Sequence, residues 1–446
     1  MSKNRGNKIF NDVYLKMAAM AVCIMHFGRI DCQFFPAGGG FLSDYNIVNS
    51  KADTFLIKVE NLLKSKSKRV GINKICLNIH HKRSSDLKIS LINPSGKMIW
   101  LTNRNGGEEG FDYTNTCFVA SGFSGHIDDG KSPYNGEFTP NGIWEILQSG
   151  DPNGDWKLVL EDLREGIKGT LSSWEMFFGE IKNPNMKVCT KKDPKHCVCQ
   201  DNKKNGKLLP DLVLIPEFTQ RGLQQYDRSH NQFPGQLRFG VTIANIGLGP
   251  FEMKGSKKWF CDGTMVADSN VICANGKYAR QNLIQKIFYK EKGKLKFEEV
   301  ETGTNYYDNQ PGHMHYHVDD WISVNLIKLD QNSGKEKTIV KGQKISYCLF
   351  DNGKIKDNFK VNDTHIDITK LKNVGFGFYP DCYSDYQGIS VGGYDSYGPM
   401  YEGQFLVLPS DLESGQYILE VHLDPKNLFI ESDKLNNKFR LNINLN

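Results

Sequence analysis

No long stretch of this sequence keeps a helical hydrophobic period. No block of like charge stands out, and past the N-terminus no apolar run is long enough to cross a bilayer. The first absence argues against a helical fold. In its place stand many short alternating runs punctuated by Gly, Asn and Pro, which predict an all-β protein. The second absence matters because the net charge is only +5 over 446 residues, with lysines spread throughout. Nucleic acid is therefore not an expected partner. The third leaves no membrane span. The length exceeds one ordinary domain, so two or three are expected.

Lys3, Arg5, Lys8 and Lys16 precede a short apolar stretch from Met17 to Met25. This reads as a secretory signal with cleavage between His26 and Gly40, so residues 1–40 are expected to be signal and leader on a secreted, extracellular protein. Cysteine usage agrees. Cys23 leaves with the signal, and Cys32 stands near the cut. Cys76 lies with Cys117, Cys261 with Cys273, and Cys348 with Cys382. Cys189, Cys197 and Cys199 share a Lys-rich stretch. Pairing is not fixed by sequence. Residues 183–208 read as an exposed connector that a disulfide could staple. A zinc knuckle at Cys197-Val198-Cys199 is a weaker alternative, because the spacing is tighter than in structural zinc sites.

Three of the eleven histidines fall within His313-Met314-His315-Tyr316-His317. In an extended chain alternate side chains share a face, so the three imidazoles would converge. Nitrogen-only ligation suits copper or zinc better than magnesium or calcium. The competing reading is a polar strand face. Val318, Trp321, Ile322, Val324, Leu326 and Ile327 then predict a strand running into a packed sheet.

Residues 41–182 alternate repeatedly: Ile75, Leu77 and Ile79; Leu87, Ile89 and Leu91; Trp156, Leu158 and Leu160; Trp174, Met176 and Phe178. Short strands with Gly- and Pro-rich turns such as Asn93-Pro94-Ser95-Gly96 indicate an antiparallel sandwich. The run Ser85-Asp86-Leu87-Lys88-Ile89-Ser90-Leu91-Ile92 into that turn, then Gly154-Asp155-Trp156-Lys157-Leu158 and Gly169-Thr170-Leu171-Ser172-Ser173-Trp174, resembles the proprotein convertase P domain, or Homo B. The resemblance implies a jelly-roll β-sandwich. In convertases this module follows a protease; here only the leader precedes it, so an accessory role is expected. His80-His81 reads as a solvated pair with no third ligand nearby. Asp128, Asp129 and Asp162 read as turn residues, with calcium binding as the alternative.

From Leu209 to the C-terminus the pattern is again β. Leu237, Phe239, Val241 and Ile243 alternate, as do Tyr417, Leu419, Val421 and Leu423. An ordered set of motifs here resembles the lysyl oxidase family, closer to its microbial branch. These are Pro210-Asp211-Leu212-Val213, the histidine strand, Lys344-Ile345-Ser346-Tyr347-Cys348, Gln387-Gly388-Ile389-Ser390, Tyr394-Asp395-Ser396-Tyr397-Gly398, Gly403-Gln404, and Glu431-Ser432-Asp433 with Asn436-Asn437. The resemblance implies a β-sandwich catalytic domain with long loops over 209–446. It gives His313, His315 and His317 to copper, and Lys344 and Tyr397 to a lysine tyrosylquinone cofactor, with a Cys348–Cys382 disulfide behind the lysine. It also gives Asp211, Glu431, Asp433, Asn436 and Asn437, with the Leu212 carbonyl, to a calcium site. Carboxylate and amide oxygens are the ligands that calcium prefers.

The implied reaction is oxidative deamination of a primary amine, peptidyl lysine included, to an aldehyde with release of ammonia and hydrogen peroxide. The quinone carbonyl is the electrophile, and the protein supplies placement and a base. Animal members carry a further histidine just after the metal strand, where Ser323 or Val324 stands here. Asp320, or Asp319, is the expected substitute, with a solvated turn or a partner to a metal-bound histidine as the alternative. Matrix or wall proteins are the expected substrates. Two other functions compete. One is a non-catalytic adhesion or structural protein retaining the copper-binding fold. The other is a zinc hydrolase using the three histidines. Asn362-Asp363-Thr364 is a glycosylation sequon.

Overall fold

The computed structural model describes residues 33–45, 51–62, 69–181, 189–200, 206–309, 314–329, 334–355, 359–361 and 364–446. Residues 1–32 of the expected signal and leader, His313 and the Asn362-Asp363 part of the sequon lie outside them, as do the side chains of Gln343 and Lys344, whereas residues 33–40 fall in the first strand. The chain divides into two compact units, Met1–Asn185 and Met186–Asn446.

Among its described residues the first unit is all β apart from short 3-10 turns. Its strands are β1 (Gln33–Phe41), β2 (Asp53–Val59), β3 (Arg69–His80), β4 (Leu87–Ile92), β5 (Met98–Asn103), β6 (Tyr113–Phe118), β7 (Gly136–Phe138), β8 (Gly154–Asp162) and β9 (Thr170–Ile181). They form a five-stranded sheet, β1-β9-β3-β6-β7, and a four-stranded sheet, β2-β8-β4-β5. Each alternating set expected from the sequence is buried: Ile75, Leu77 and Ile79 from one sheet meet Leu87, Leu91, Trp156 and Leu158 from the other in one core. Period-two alternation leaves one apolar face per sheet, and facing sheets bury both. The β4–β5 hairpin turns where the Asn93 side chain accepts from the backbone of Ser95 and Lys97, at 3.1 and 2.8 Å. Gly96 there has φ of 75°, which costs glycine nothing. Cys76 and Cys117 stand opposite each other in the β3–β6 pairing and are disulfide-bonded.

Two expectations fail in this unit. His81 is not solvated: it is fully buried, within 4.8 Å of buried Asp86 and Asp162. Asp162 is accordingly not an exposed turn residue but closes β8. Burial alone would lower the His81 pKa, but Asp162 at 3.3 Å and nearby Asp86 leave it raised. His80, by contrast, is exposed and pairs with Asp112.

The second unit opens with Cys189–Cys197, a disulfide rather than half of a zinc knuckle; Cys199 is the free thiol among the described residues. Most of the described residues of this stretch are exposed, Lys191, Lys192, Lys195 and Val198 among them, while Cys189, Cys197 and Leu208 are buried against Phe288, Phe376 and Val391.

Beyond it come β10 (Leu212–Leu214), the one-turn helix α1 (Pro216–Arg221), β11 (Val241–Asn245), β12 (Phe251–Cys261), β13 (Thr264–Val266), β14 (Arg280–Glu291), β15 (Lys294–Asp308), β16 (His315–Leu329), β17 (Glu336–Tyr347), β18 (Tyr386–Ile389), β19 (Gly393–Tyr397), β20 (Gly415–Leu423) and β21 (Lys438–Leu445). Among the described residues the main sheet has ten strands, running β13-β12-β14-β15-β16-β20-β21, with β17 also on β16, β18 on β12 and the two-residue strand Lys207–Leu208 on β14. A smaller sheet places β19 beside β11, so Tyr397 stands opposite Val241. Val318, Ile322, Val324 and Leu326 of β16 and Tyr417, Leu419, Val421 and Leu423 of β20 share the core of this unit with Val241 and Ile243.

A bulge interrupts β16. Strict alternation would put Asp320 on the core face, between Val318 and Ile322. Instead Asp320 takes φ of 53°, the β16–β17 register shifts there, and Trp321 enters the core against Phe251 and Phe429. An ionised carboxylate in that core would be far costlier than the local left-handed residue.

Candidate metal and phenol site

His315 and His317 are at the start of β16, two residues apart, so their rings share a face. Their Nε2 atoms approach to 2.7 Å and the rings are 4.7 Å apart. The expectation of a continuous extended run from residue 313 is corrected at Met314, whose φ of 52° breaks the alternation before the strand begins. Two imidazole nitrogens aimed at one point form a donor set that suits a borderline or soft transition metal such as copper or zinc.

His317 is buried, and its Nδ1 lies 3.0 Å from the hydroxyl of Tyr306, the residue directly opposite it on β15. Tyr306 lies under the guanidinium of Arg280, 4.2 Å from the ring centroid. Arg280 in turn grips both oxygens of Asp319, at 3.0 and 3.3 Å, and Thr304 donates to Asp319 at 2.9 Å. Burial pushes the Asp319 carboxyl up despite Arg280. Asp320, turned away by the bulge, meets Lys426 at 2.5 Å.

On the other flank, a ring nitrogen of His315 lies within 4.8 Å of both sulfurs of the Cys348–Cys382 disulfide. Oxidised sulfurs are not metal ligands, so this pair braces the site. The carbonyl of Cys348 accepts a hydrogen bond from the hydroxyl of Tyr397. The Tyr397 ring stacks on Tyr347, centroids 4.0 Å apart and 6° from parallel, and Gln404 donates to the Tyr347 hydroxyl at 2.5 Å. Burial, then the charge of Asp395, holds the Tyr397 phenol well above the ordinary range. Lys344 stands opposite Ser323 in the backbone pairing, three residues before Tyr347. The structure thus gathers His315, His317, Tyr397 and the Lys344 strand around Tyr347 and Cys348.

The residues expected to hold calcium also meet. Asn436 donates to Asp211 at 2.9 Å, Asn437 to Glu431 at 2.6 Å, and the Leu212 amide to Glu431 at 3.1 Å. The side-chain oxygens of Asn436 and Asn437 are buried without partners. Burial raises Asp211, with Asp433 adding to the rise, and pushes Glu431 up to about 7. Crowded carboxylates with orphaned amide oxygens fit a hard dication.

Tyr306, Arg280 and Thr304 escaped the sequence reading. The available signal was the hairpin itself: counting back across the turn before His315 sets Tyr306 against His317.

The family model described as lysyl oxidase matches residues 288–446, and that of the proprotein convertase P-domain matches residues 73–178. The chain is similar to lysyl oxidases behind a stretch similar to P-domains. Lysyl oxidase homolog 1 of Homo sapiens is 35% identical over 132 residues, 29% of this chain and 19% of that protein. Protein-lysine 6-oxidase of Homo sapiens is 33% identical over 132 residues, 29% of this chain and 26% of that protein. The matched stretch is therefore about a quarter or less of these relatives' length. A crystal structure of Aeromonas sobria serine protease with its chaperone is matched over 37% of this chain and 30% of that one, at 16% identity and a TM-score of 0.20, too low for any conclusion. The lysyl oxidase match spans the histidine strand, Lys344, Tyr397 and four of the six calcium candidates; Asp211 and Leu212 lie before it. No helix among the described residues is long and apolar enough to cross a membrane.

Proposed function

We propose that this is a secreted copper-dependent amine oxidase that converts primary amines, peptidyl lysine foremost, to aldehydes. The convergence of His315 and His317 beside a Cys348 residue that also anchors Tyr397 carries this reading. His313 would complete the copper set. When bound, copper with dioxygen supplies the oxidation of a phenol, and the lysine tyrosylquinone made from Tyr397 and Lys344 supplies an electrophilic carbonyl. The chain's own part is placement. Tyr347 fixes the plane of the Tyr397 ring, and the Cys348 carbonyl fixes its hydroxyl. The strand carrying Lys344 is held against β16.

We assign an orienting role to Asp319, which Arg280 and Thr304 engage; Asp320, turned away to Lys426, is poorly placed to remove the proton from the carbon beside nitrogen. Asp211, Leu212, Glu431, Asp433, Asn436 and Asn437 would hold calcium and tie the start of the unit to its last strands. Four disulfides among the described residues support export to an oxidising compartment, where matrix or wall proteins would be the available lysine donors.

The test is protein produced with copper, assayed for bound metal and for a coloured phenylhydrazine adduct on a cross-linked Lys344–Tyr397 peptide. Copper with the adduct is expected. Copper without a cross-link would favour the non-catalytic binding protein, and zinc with neither would favour the hydrolase. Asp320→Asn should leave turnover and bound copper close to wild type, whereas Asp319→Asn should loosen copper.

A further inference from the structure

We propose that Tyr306 is the positioning residue of the histidine centre: its hydroxyl accepts the Nδ1 proton of His317 and so holds that ring with Nε2 turned toward His315 and the metal. The inference rests on the metal-site reading above but assigns a residue outside the ligand set.

A neutral imidazole carries one N–H. If Nε2 gives its lone pair to a metal, the proton must sit on Nδ1, and that N–H needs an acceptor. The Tyr306 hydroxyl is 3.0 Å away, with the two rings edge-on at 5.3 Å. Ser346 also hydrogen-bonds this hydroxyl.

The ring has little freedom. Arg280 covers it at 4.2 Å, and Tyr278 stacks on it at 6.1 Å and 13°. Arg280 cannot drift, because Asp319 holds two of its nitrogens and the Tyr278 carbonyl takes a third. The hairpin fixes the rest, since Tyr306 and His317 are direct partners in its register. A tyrosine that only filled space would need none of this at its hydroxyl. Asp319 thereby acts two steps from the metal, through Arg280 and Tyr306.

Tyr306→Phe removes one oxygen and keeps the ring, the stack and the clamp. In the full-length protein, Cu(II) affinity measured by chelator competition should fall about 10–100-fold, and the Cu(II) electron paramagnetic resonance spectrum should change. The melting temperature of the metal-free protein should stay close to wild type. Tyr307→Phe, the neighbouring position paired with Tyr316, should change neither affinity nor spectrum. If both variants weaken copper equally, the effect is a general loosening of the strand and the proposal is overturned. It is overturned too if Tyr306→Phe binds copper with wild-type affinity and spectrum. Wild-type protein that binds no copper would instead defeat the metal reading itself, and this inference with it. Should Tyr306→Phe fail to fold, Arg280→Gln, which loosens the clamp and spares the hydroxyl, should shift the spectrum and weaken copper by a smaller factor; no shift there overturns the proposal.

Discussion

Tyr397 lies flat on Tyr347 and donates its hydroxyl hydrogen to the carbonyl of Cys348, the residue that follows Tyr347. One dipeptide therefore sets both the plane and the rotation of the Tyr397 ring. Tyr397→Phe keeps the stacking and loses a single hydrogen bond, worth about 1 kcal/mol. A thermal melt should show a stable variant that still binds copper, while amine-dependent peroxide release should be undetectable. Residual turnover above a few per cent of wild type would remove Tyr397 from the reaction.

The cluster of Asp211, Glu431, Asn436 and Asn437 predicts stabilisation by calcium. At about a hundred times its Kd, calcium should add about 2.7 kcal/mol to the second unit, read as a raised melting temperature that a chelator reverses. Glu431→Gln should abolish the response. A calcium-independent melt in the wild type would leave these residues as a polar turn.

Asp351 is buried and accepts from the amide and hydroxyl of Ser390, both at 2.8 Å, and from the amide of Tyr379 at 3.1 Å. Burial outweighs those bonds and pushes its carboxyl from 3.8 up to about 6. The folded state thus holds this proton more tightly than the unfolded chain. The contribution is full below about pH 4 and is lost as pH rises through about 6, an effect on the order of 3 kcal/mol. Asp351→Asn should flatten the dependence of melting temperature on pH in that window. Parallel curves for the two proteins would count against it.

Cys348 and Cys382 close a loop of 34 residues. Cys382→Ser should cost about 2–4 kcal/mol by chemical denaturation. It should also weaken copper, because the disulfide lies within 4.8 Å of a His315 ring nitrogen. Copper affinity left at the wild-type value would show that the brace serves the fold alone.

Much of the architecture was legible because period-two alternation survives translation into sheets: Trp156, Leu158 and Leu160, and Leu419, Val421 and Leu423, are buried as their spacing indicates. What the pattern could not show was where alternation breaks. Asp319 and Asp320 look equivalent as a dipeptide, yet one left-handed residue sends the first toward Arg280 and the second to Lys426. His81 was misread for a related reason: Asp86 follows five residues later, but Asp162 reaches it only through the β4–β8 pairing. Tyr306 needed the register of the β15–β16 hairpin, and Pro311-Gly312 signals a turn in the sequence without fixing that register.

Cys348 touches both halves of the candidate centre, with its sulfur near His315 and its carbonyl on Tyr397. A cell that keeps thiols reduced would make a chain with every ligand and both cofactor precursors, but with the post between them unset. Under the proposed function, assembly of the centre would be tied to an oxidising compartment, because the oxidation that joins Cys348 to Cys382 is what would set that post.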